Sequence, residues 1–334
     1  MPKLSVILTC YNSKKEYLDE CILSLLNQTF KDFELLVIDD CSTVPIKDLI
    51  KDYLEKDARV KYFKTPKNGG AANSRNFGIK KATGEYLAIM DHDDVADLKK
   101  FEEQVSFLDK NPDIGVLGGA FKRFPNEKEF YLLTEDKDIN LSLLLNQNEF
   151  CHSCVMMRKS LLDANGITYN PDKVPVEDYA LFLDLMGKTK FHNLSDILIY
   201  YRSHETNISK LNVDKVVSFS AELRIQYLSK FFKIKDDSFQ NALMNLDLNQ
   251  VTKRDIDILE KKLPWLINEM KKQGYEEEKI ICYLYKKYLK TARKSKNPGV
   301  ILKMFQSSLI KDLKISFIKR YILMIKNLVK SLVN

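Results

Sequence analysis

Three acids stand within four residues at Asp91-His92-Asp93-Asp94, directly after the apolar run Tyr86-Leu-Ala-Ile-Met90. Carboxylates crowded at a strand end repel one another unless solvent or a cation relieves them, and a spacing of two lets Asp91 and Asp93 face one divalent ion. Oxygen ligands suit Mg2+ or Mn2+, which take few protein groups and complete their shells with phosphate oxygens and water. A competing reading makes Asp94 or Asp97 the N-cap of a helix carrying Phe101, Val105 and Leu108. It accounts for one acid and leaves Asp91 and Asp93 unexplained.

Other polar groups are spaced for chemistry too. Lys67-Asn68-Gly69-Gly70 leads into Ala71-Ala-Asn-Ser-Arg75-Asn76, where glycine amides at a helix start favour an anion and Arg75 adds a charged donor one turn on. The same glycine pair also reads as a tight turn and nothing more. Glu177-Asp178 opens a helix whose apolar face is Phe182, Leu185 and Met186. Acids in a first helical turn complement the dipole, and Asp178 is also a candidate general base, needing to come within about 2.6–3.2 Å of the hydroxyl it serves. Arg202 offers a fork to phosphates, and His204 can ligate a metal, bind phosphate or simply sit in a surface loop. Cys151-His152-Ser153-Cys154 has no second C-x-x-C to complete a zinc site, so it reads as a pocket wall and the six scattered cysteines as reduced thiols.

The elements that must position these groups follow a βαβ rhythm. Leu4–Thr9, Glu34–Asp39, Val60–Lys64 and Tyr86–Met90 read as strands, with helical patterns after Tyr17, over 45–56 and over Ala71–Ala82. That is an α/β arrangement with a mostly parallel, doubly wound sheet, in which ligands bind beyond the carboxyl ends of the strands. Thr9-Cys-Tyr11-Asn12, Asp39-Asp40-Cys-Ser42 and the Asp91–Asp94 acids all stand at such ends.

Beyond about residue 210 the chain reads as helix after helix, through Val213–Phe232, Asp255–Gln273 and Glu276–Lys296. We divide it into a first domain over 1–210, a helical domain over 211–298 and a tail over 299–334. That tail carries six lysines and one arginine against Asp312, so it holds +6 of the +7 total. A near-neutral body with a cationic end argues against a nucleic-acid binder. The tail reads as an amphipathic helix suited to an anionic membrane surface; packing on the body or in a homo-oligomer is the alternative. No run of about 18 uncharged apolar residues occurs and Leu4–Leu8 is too short for a signal peptide, so the expected location is cytoplasmic, peripheral on the inner face of the membrane.

Taken together, these motifs resemble glycosyltransferase family 2, inverting enzymes of the GT-A fold. The resemblance runs from Ser5–Asn12 through Leu23–Phe30, Phe33–Ser42, Asn68–Asn76, Asp91–Asp94 and Glu177-Asp178 to Arg202-x-His204, in the family's order. It implies that Thr9, Tyr11 and Asp39 hold the nucleotide base, with Asp40 nearby, and that Asn68, Gly70 and Arg75 line the nucleotide pocket. Asp91 would lie near the ribose and metal, Asp93 would bind Mn2+ or Mg2+, and Asp178 would deprotonate the acceptor. Glu177 and Arg202 complete the donor site, and His204 is a further metal ligand. The implied reaction moves one sugar from a nucleotide-sugar, conventionally a UDP-sugar, to a glycan or lipid-linked acceptor of the cell surface. The Q-x-x-R-W motif of processive synthases is missing, Trp265 being the single tryptophan, so one sugar per encounter is expected. A sugar-nucleotide pyrophosphorylase would need a basic Gly-rich loop at Leu4–Asn12, and a non-catalytic membrane-recruitment module would not need Asp93 together with Asp178.

Overall fold

The computed structural model describes residues 1–205, 207, 211–295 and 297–306, in two compact units. The first comprises Met1–Asn140 with Asn148–Asn212; the second takes Leu141–Gln147 together with the chain from Val213.

The first unit is built on a nine-stranded sheet in the order β3-β2-β1-β4-β8-β6-β9-β5, with β7 paired to β6. Its strands are β1 (Leu4–Cys10), β2 (Phe33–Asp39), β3 (Val60–Lys64), β4 (Tyr86–Asp91), β5 (Val95–Ala96), β6 (Ile114–Phe124), β7 (Lys128–Phe130), β8 (Met156–Arg158) and β9 (Lys190–Arg202). Strands β3, β2, β1 and β4 are parallel, as expected. The other half is mixed: β8 runs antiparallel to both β4 and β6, β6 and β9 are parallel, and β5 is antiparallel to β9. At three and two residues, β8 and β5 are too short to show a hydrophobic period.

Strand β1 is buried on both faces, which is why it reads as a continuous apolar run. Leu4, Val6, Leu8 and Cys10 belong to the core formed with α1 (Lys15–Leu26) and α5 (Lys100–Lys110). On the other face α4 (Gly70–Lys81) crosses so closely that a Cβ at Gly78 would lie 2.6 Å from Ile7 Cγ2. The helical pattern over 45–56 divides into α2 (Ile46–Leu49) and α3 (Lys51–Lys56), interrupted at Ile50. Neither Asp94 nor Asp97 caps α5: the Phe101 N–H is accepted by Gln28 Oε1 at 3.0 Å, from beyond the end of α1, while Asp97 takes the Lys99 N–H. The remaining helices are α6 (Asp136–Leu145), whose second half from Leu141 belongs to the second unit, α7 (Lys159–Asn165) and α8 (Glu177–Leu185).

Glu34 is buried among strands and tests that packing. It accepts from Ser5 Oγ at 2.6 Å, from Thr83 N–H and Oγ1 at 2.8 Å each, and from Lys61 Nζ at 2.7 Å. Burial works against its charge, yet the Lys61, Ser5 and Thr83 bonds outweigh it and hold the pKa at about 2. A depressed carboxylate stabilises the fold fully above its unfolded pKa of about 4.3 and loses that contribution as pH falls through about 2. Glu34→Gln should therefore cost about 2 kcal/mol at pH 7. The gap between variant and wild type in urea unfolding should shrink steadily below pH 4; a gap that does not change with pH would refute this account.

The second unit contains α9 (Val213–Phe232), α10 (Asp237–Leu248), α11 (Lys253–Lys272), α12 (Glu277–Lys294) and α13 (Pro298–Gln306). Thr252 and Asp255 form a reciprocal capping box at the start of α11. Arg224 Nε donates to Asp247 at 2.6 Å, and Lys287 pairs with the same carboxylate. Most of the basic tail over 299–334 lies outside the described residues. Among the described residues, no helix is long and apolar enough to cross a membrane.

Candidate active site

Register sets the candidate groups side by side. Strand β1 lies between β2 and β4, with Thr9 opposite Ile38 on one side and Asp91 on the other, and Cys10 opposite Asp39. Thr9 is buried and Tyr11 is half exposed.

Asp39 and Asp40 turn inward. Asp39 Oδ1 accepts the Ser42 N–H and Oδ2 the Tyr62 hydroxyl, both at 2.8 Å. Asp40 Oδ1 and Oδ2 accept the Gly69 and Gly70 N–H groups at 2.9 and 2.7 Å, while Asn68 Nδ2 donates to the Asp40 carbonyl at 3.1 Å. The helix-start amides of α4 do hold an anion, as their chemistry suggests, and in this structure it is internal: the Asp40 carboxylate. Gly70 has φ +78°, which explains its residue type.

Arg75 is the hub of a second cluster. Its Nη1 donates to Glu177 Oε1 at 2.6 Å and its Nη2 to Asp91 Oδ1 at 3.0 Å, joining residues 102 apart in sequence. Burial raises Asp91 and is outweighed by the Arg75 charge, so its carboxyl is held below the usual range. Glu177 Oε2 and Arg75 Nε are buried without a hydrogen-bond partner. Beside them His152 Nε2 meets the Tyr169 hydroxyl at 2.9 Å. Burial first, then the Arg75 charge, pushes the His152 pKa down to about 3, leaving a neutral imidazole. The segment around it is tied into the framework: Ser153 Oγ donates to Asp94 at 2.6 Å, and the Cys154 carbonyl accepts from Gln104 at 2.6 Å.

Asp94 serves the framework. It accepts from Ser153 Oγ and, at 3.0 Å, from the Arg202 N–H, and burial followed by the Asp93 and Asp91 charges raises its pKa well above normal. Asp93 is different. Its Oδ2 lies 2.8 Å from His204 Nε2, and among the described residues no lysine or arginine pairs with its carboxylate. Arg202 Nε donates instead to the Asp93 carbonyl at 2.8 Å, its Nη2 pairs with Glu20, and its guanidinium stacks over Tyr17 and Phe124. In this arrangement Arg202 braces the acidic loop. Among the described residues no group of three potential ligands is already gathered. Of the three candidate ligands the structure brings Asp93 and His204 together, while Asp91 is engaged by Arg75.

Asp178 stands at the start of α8, partly exposed, with Oδ1 accepting the Tyr179 N–H at 2.7 Å and Oδ2 accepting from Asn148 Nδ2 at 3.0 Å. Burial, then the Glu177 charge, pushes its pKa up to about 7. Asn148 and Tyr169 carry no motif that singles them out in sequence.

Comparison with known proteins agrees with this architecture. Residues 5–166 match the family model described as glycosyl transferase family 2. An uncharacterized glycosyltransferase of Haemophilus influenzae is 35% identical over 190 residues, 57% of this chain and 74% of the relative. The Escherichia coli UDP-Glc:alpha-D-GlcNAc-diphosphoundecaprenol beta-1,3-glucosyltransferase WfaP is 28% identical over 67% of this chain and 86% of its own length. Residues 1–349 of S. aureus TarS, solved in complex with UDP-GlcNAc, share the fold with a TM-score of 0.58 and 18% identity, covering 98% of this chain and 90% of that one. The chain spans about half, 49%, of the longer TarS structure.

Proposed function

The chain belongs to glycosyltransferase family 2, enzymes that act on nucleotide-sugar donors, and from that premise we propose that it moves one sugar from a UDP-sugar, in the presence of Mn2+ or Mg2+, to a hydroxyl of a glycan or lipid-linked acceptor, with inversion, in cell-surface polysaccharide synthesis. The observation that carries this reading is that Arg75 ties the strand-end acid Asp91 to Glu177, and so places an acid poised near neutrality, Asp178, one residue from the same guanidinium. UDP as the nucleotide is supported by the donors named for WfaP and TarS, and a lipid-diphosphate acceptor by the name of WfaP.

In this mechanism Asp178 accepts the proton of the acceptor hydroxyl as that oxygen attacks the anomeric carbon and the bond to the diphosphate breaks on the opposite face. One displacement inverts the centre, and no covalent nucleophile is needed. Thr9, Tyr11 and Asp39 border the base, with Asp40 shaping the Asn68–Gly70 turn beside it. Asp93, with Asp91 and His204, would hold the divalent ion, which supplies electrostatic stabilisation of the leaving diphosphate.

A donor screen tests this reading. With Mn2+ present, a UDP-sugar at about 100 times its Kd should add about 2.7 kcal/mol of apparent stability, while GDP-, CDP- and dTDP-sugars should add little. EDTA should abolish the gain. Stabilisation by another nucleotide would replace the donor assignment, and indifference to EDTA would remove the metal. Membrane contact through 299–334 is proposed on charge alone: salt-sensitive binding to anionic liposomes should disappear when that segment is deleted, and binding that survives deletion would exclude it.

A further inference from the structure

Asp178 is held by a turn whose polarity is fixed from outside the site. Asn148 Oδ1 accepts the Phe150 N–H at 3.1 Å, which settles which end of the amide is which and leaves Nδ2 facing Asp178 Oδ2 at 3.0 Å. The turn is pinned on both sides. The Phe150 ring packs on Phe182, one turn along α8 from Asp178, with centroids 4.5 Å apart, and meets Phe191 edge-on at 5.7 Å. The intervening Glu149 carbonyl accepts from the fully buried Asn193 at 2.9 Å. Even the strand beneath makes room, since a Cβ at Gly118 would lie 2.1 Å from Asn193 Oδ1 and 2.8 Å from Phe150 Cδ1.

From this geometry we propose that Asn148 is a positioning residue for the base: it orients the Asp178 carboxylate and, as a donor that cannot reverse, keeps Oδ2 an acceptor. The proposal rests on the reading of Asp178 as general base. A proton arriving from an acceptor hydroxyl must enter along a lone pair that neither Asn148 nor the Tyr179 N–H occupies, so the two donors define the side from which the hydroxyl approaches. The charged and titratable groups acting on Asp178 are Glu177 and Asp91, which disfavour its ionised form, and Arg75, which favours it; the Tyr169 phenol lies close as well. Asn148 joins Arg75 on the side of the carboxylate, and does so without charge.

The test exploits the two ends of the amide. Asn148→Asp keeps an oxygen for the Phe150 N–H and removes the donor to Asp178, while Asn148→Ala removes both. Carbon-13 NMR of protein labelled at aspartate carboxyl carbons, with Asp178→Asn to identify the resonance, reads the titration midpoint directly and needs no substrate. Both Asn148 variants should move the Asp178 midpoint upward, the Ala variant by about one pH unit or more through loss of the donor and the Asp variant further, because its own carboxylate adds a like charge beside Asp178. An unmoved midpoint in Asn148→Ala overturns the proposal, and so does a shift in Asn148→Asp alone, which would assign the effect to the added charge. Failure of the underlying reading looks different: Asp178→Asn would then still transfer sugar, whatever the midpoint did in the other variants.

Discussion

Replacing Asp178 by Asn should lower sugar transfer by about 10²–10⁴-fold while leaving UDP-sugar binding close to wild type. The carboxyl and amide have nearly the same shape, and the side chain, partly exposed in the first turn of α8, keeps an oxygen for the Tyr179 N–H in either form. What the variant loses is a group that can take a proton. With a pKa near 7, the wild-type residue should also give kcat/KM an acid limb centred about there, activity rising as pH increases and Asp178 ionises. Stability should respond in the opposite sense. A carboxyl whose folded pKa is raised favours the fold at low pH and loses that contribution as pH rises through its folded value. Asp178→Asn should therefore match or exceed wild-type Tm at pH 8. A variant that is inactive and also markedly destabilised there would point to a structural role instead.

Arg75→Met should destabilise the fold by about 3–5 kcal/mol. Arg75 and Glu177 retain only 8% and 9% of side-chain exposure, and removing the guanidinium strands one buried carboxylate outright and leaves Asp91 without its cation. Arg75→Lys should recover only part of the loss, because one ammonium cannot reproduce a fork that reaches two acids from separate nitrogens. Arg75 also favours ionisation of Asp178 through its charge, so the midpoint of that residue should climb in Arg75→Met and much less in Arg75→Lys. Urea unfolding at pH 7 measures the first effect. A loss under about 1 kcal/mol would mean that the two carboxylates find protons or water more readily than their burial allows.

Local pattern made one half of the sheet readable. Strands β1, β2 and β4 are largely apolar runs of six or seven residues, and their polar ends mark the rim. The remainder depends on partners that no window contains. Gln28 stabilises the start of a helix 73 residues later, and Arg75 meets Glu177 at a separation of 102. The acids were visible as a group in Asp91–Asp94, but their separate duties were not: Asp93 faces His204, whereas Asp94 is tied up by Ser153 and the backbone of Arg202. Asn148 was invisible for the same reason, since an Asn-x-Phe turn acquires meaning only when Asp178 is folded against it.

The short stretch Leu141–Gln147 carries a practical consequence. Because it packs within the helical unit while the chain on either side belongs to the sheet, the backbone passes between the units three times, and neither is a contiguous piece of sequence. A fragment ending at 212 would contain Leu141, Leu143, Leu144 and Leu145, each no more than 3% exposed in the whole protein, without the segment that shelters them. Such a fragment should aggregate, and its failure to work would say nothing about whether the helices take part in catalysis. Dissection of this enzyme is better done by substitution in the full chain than by scissors.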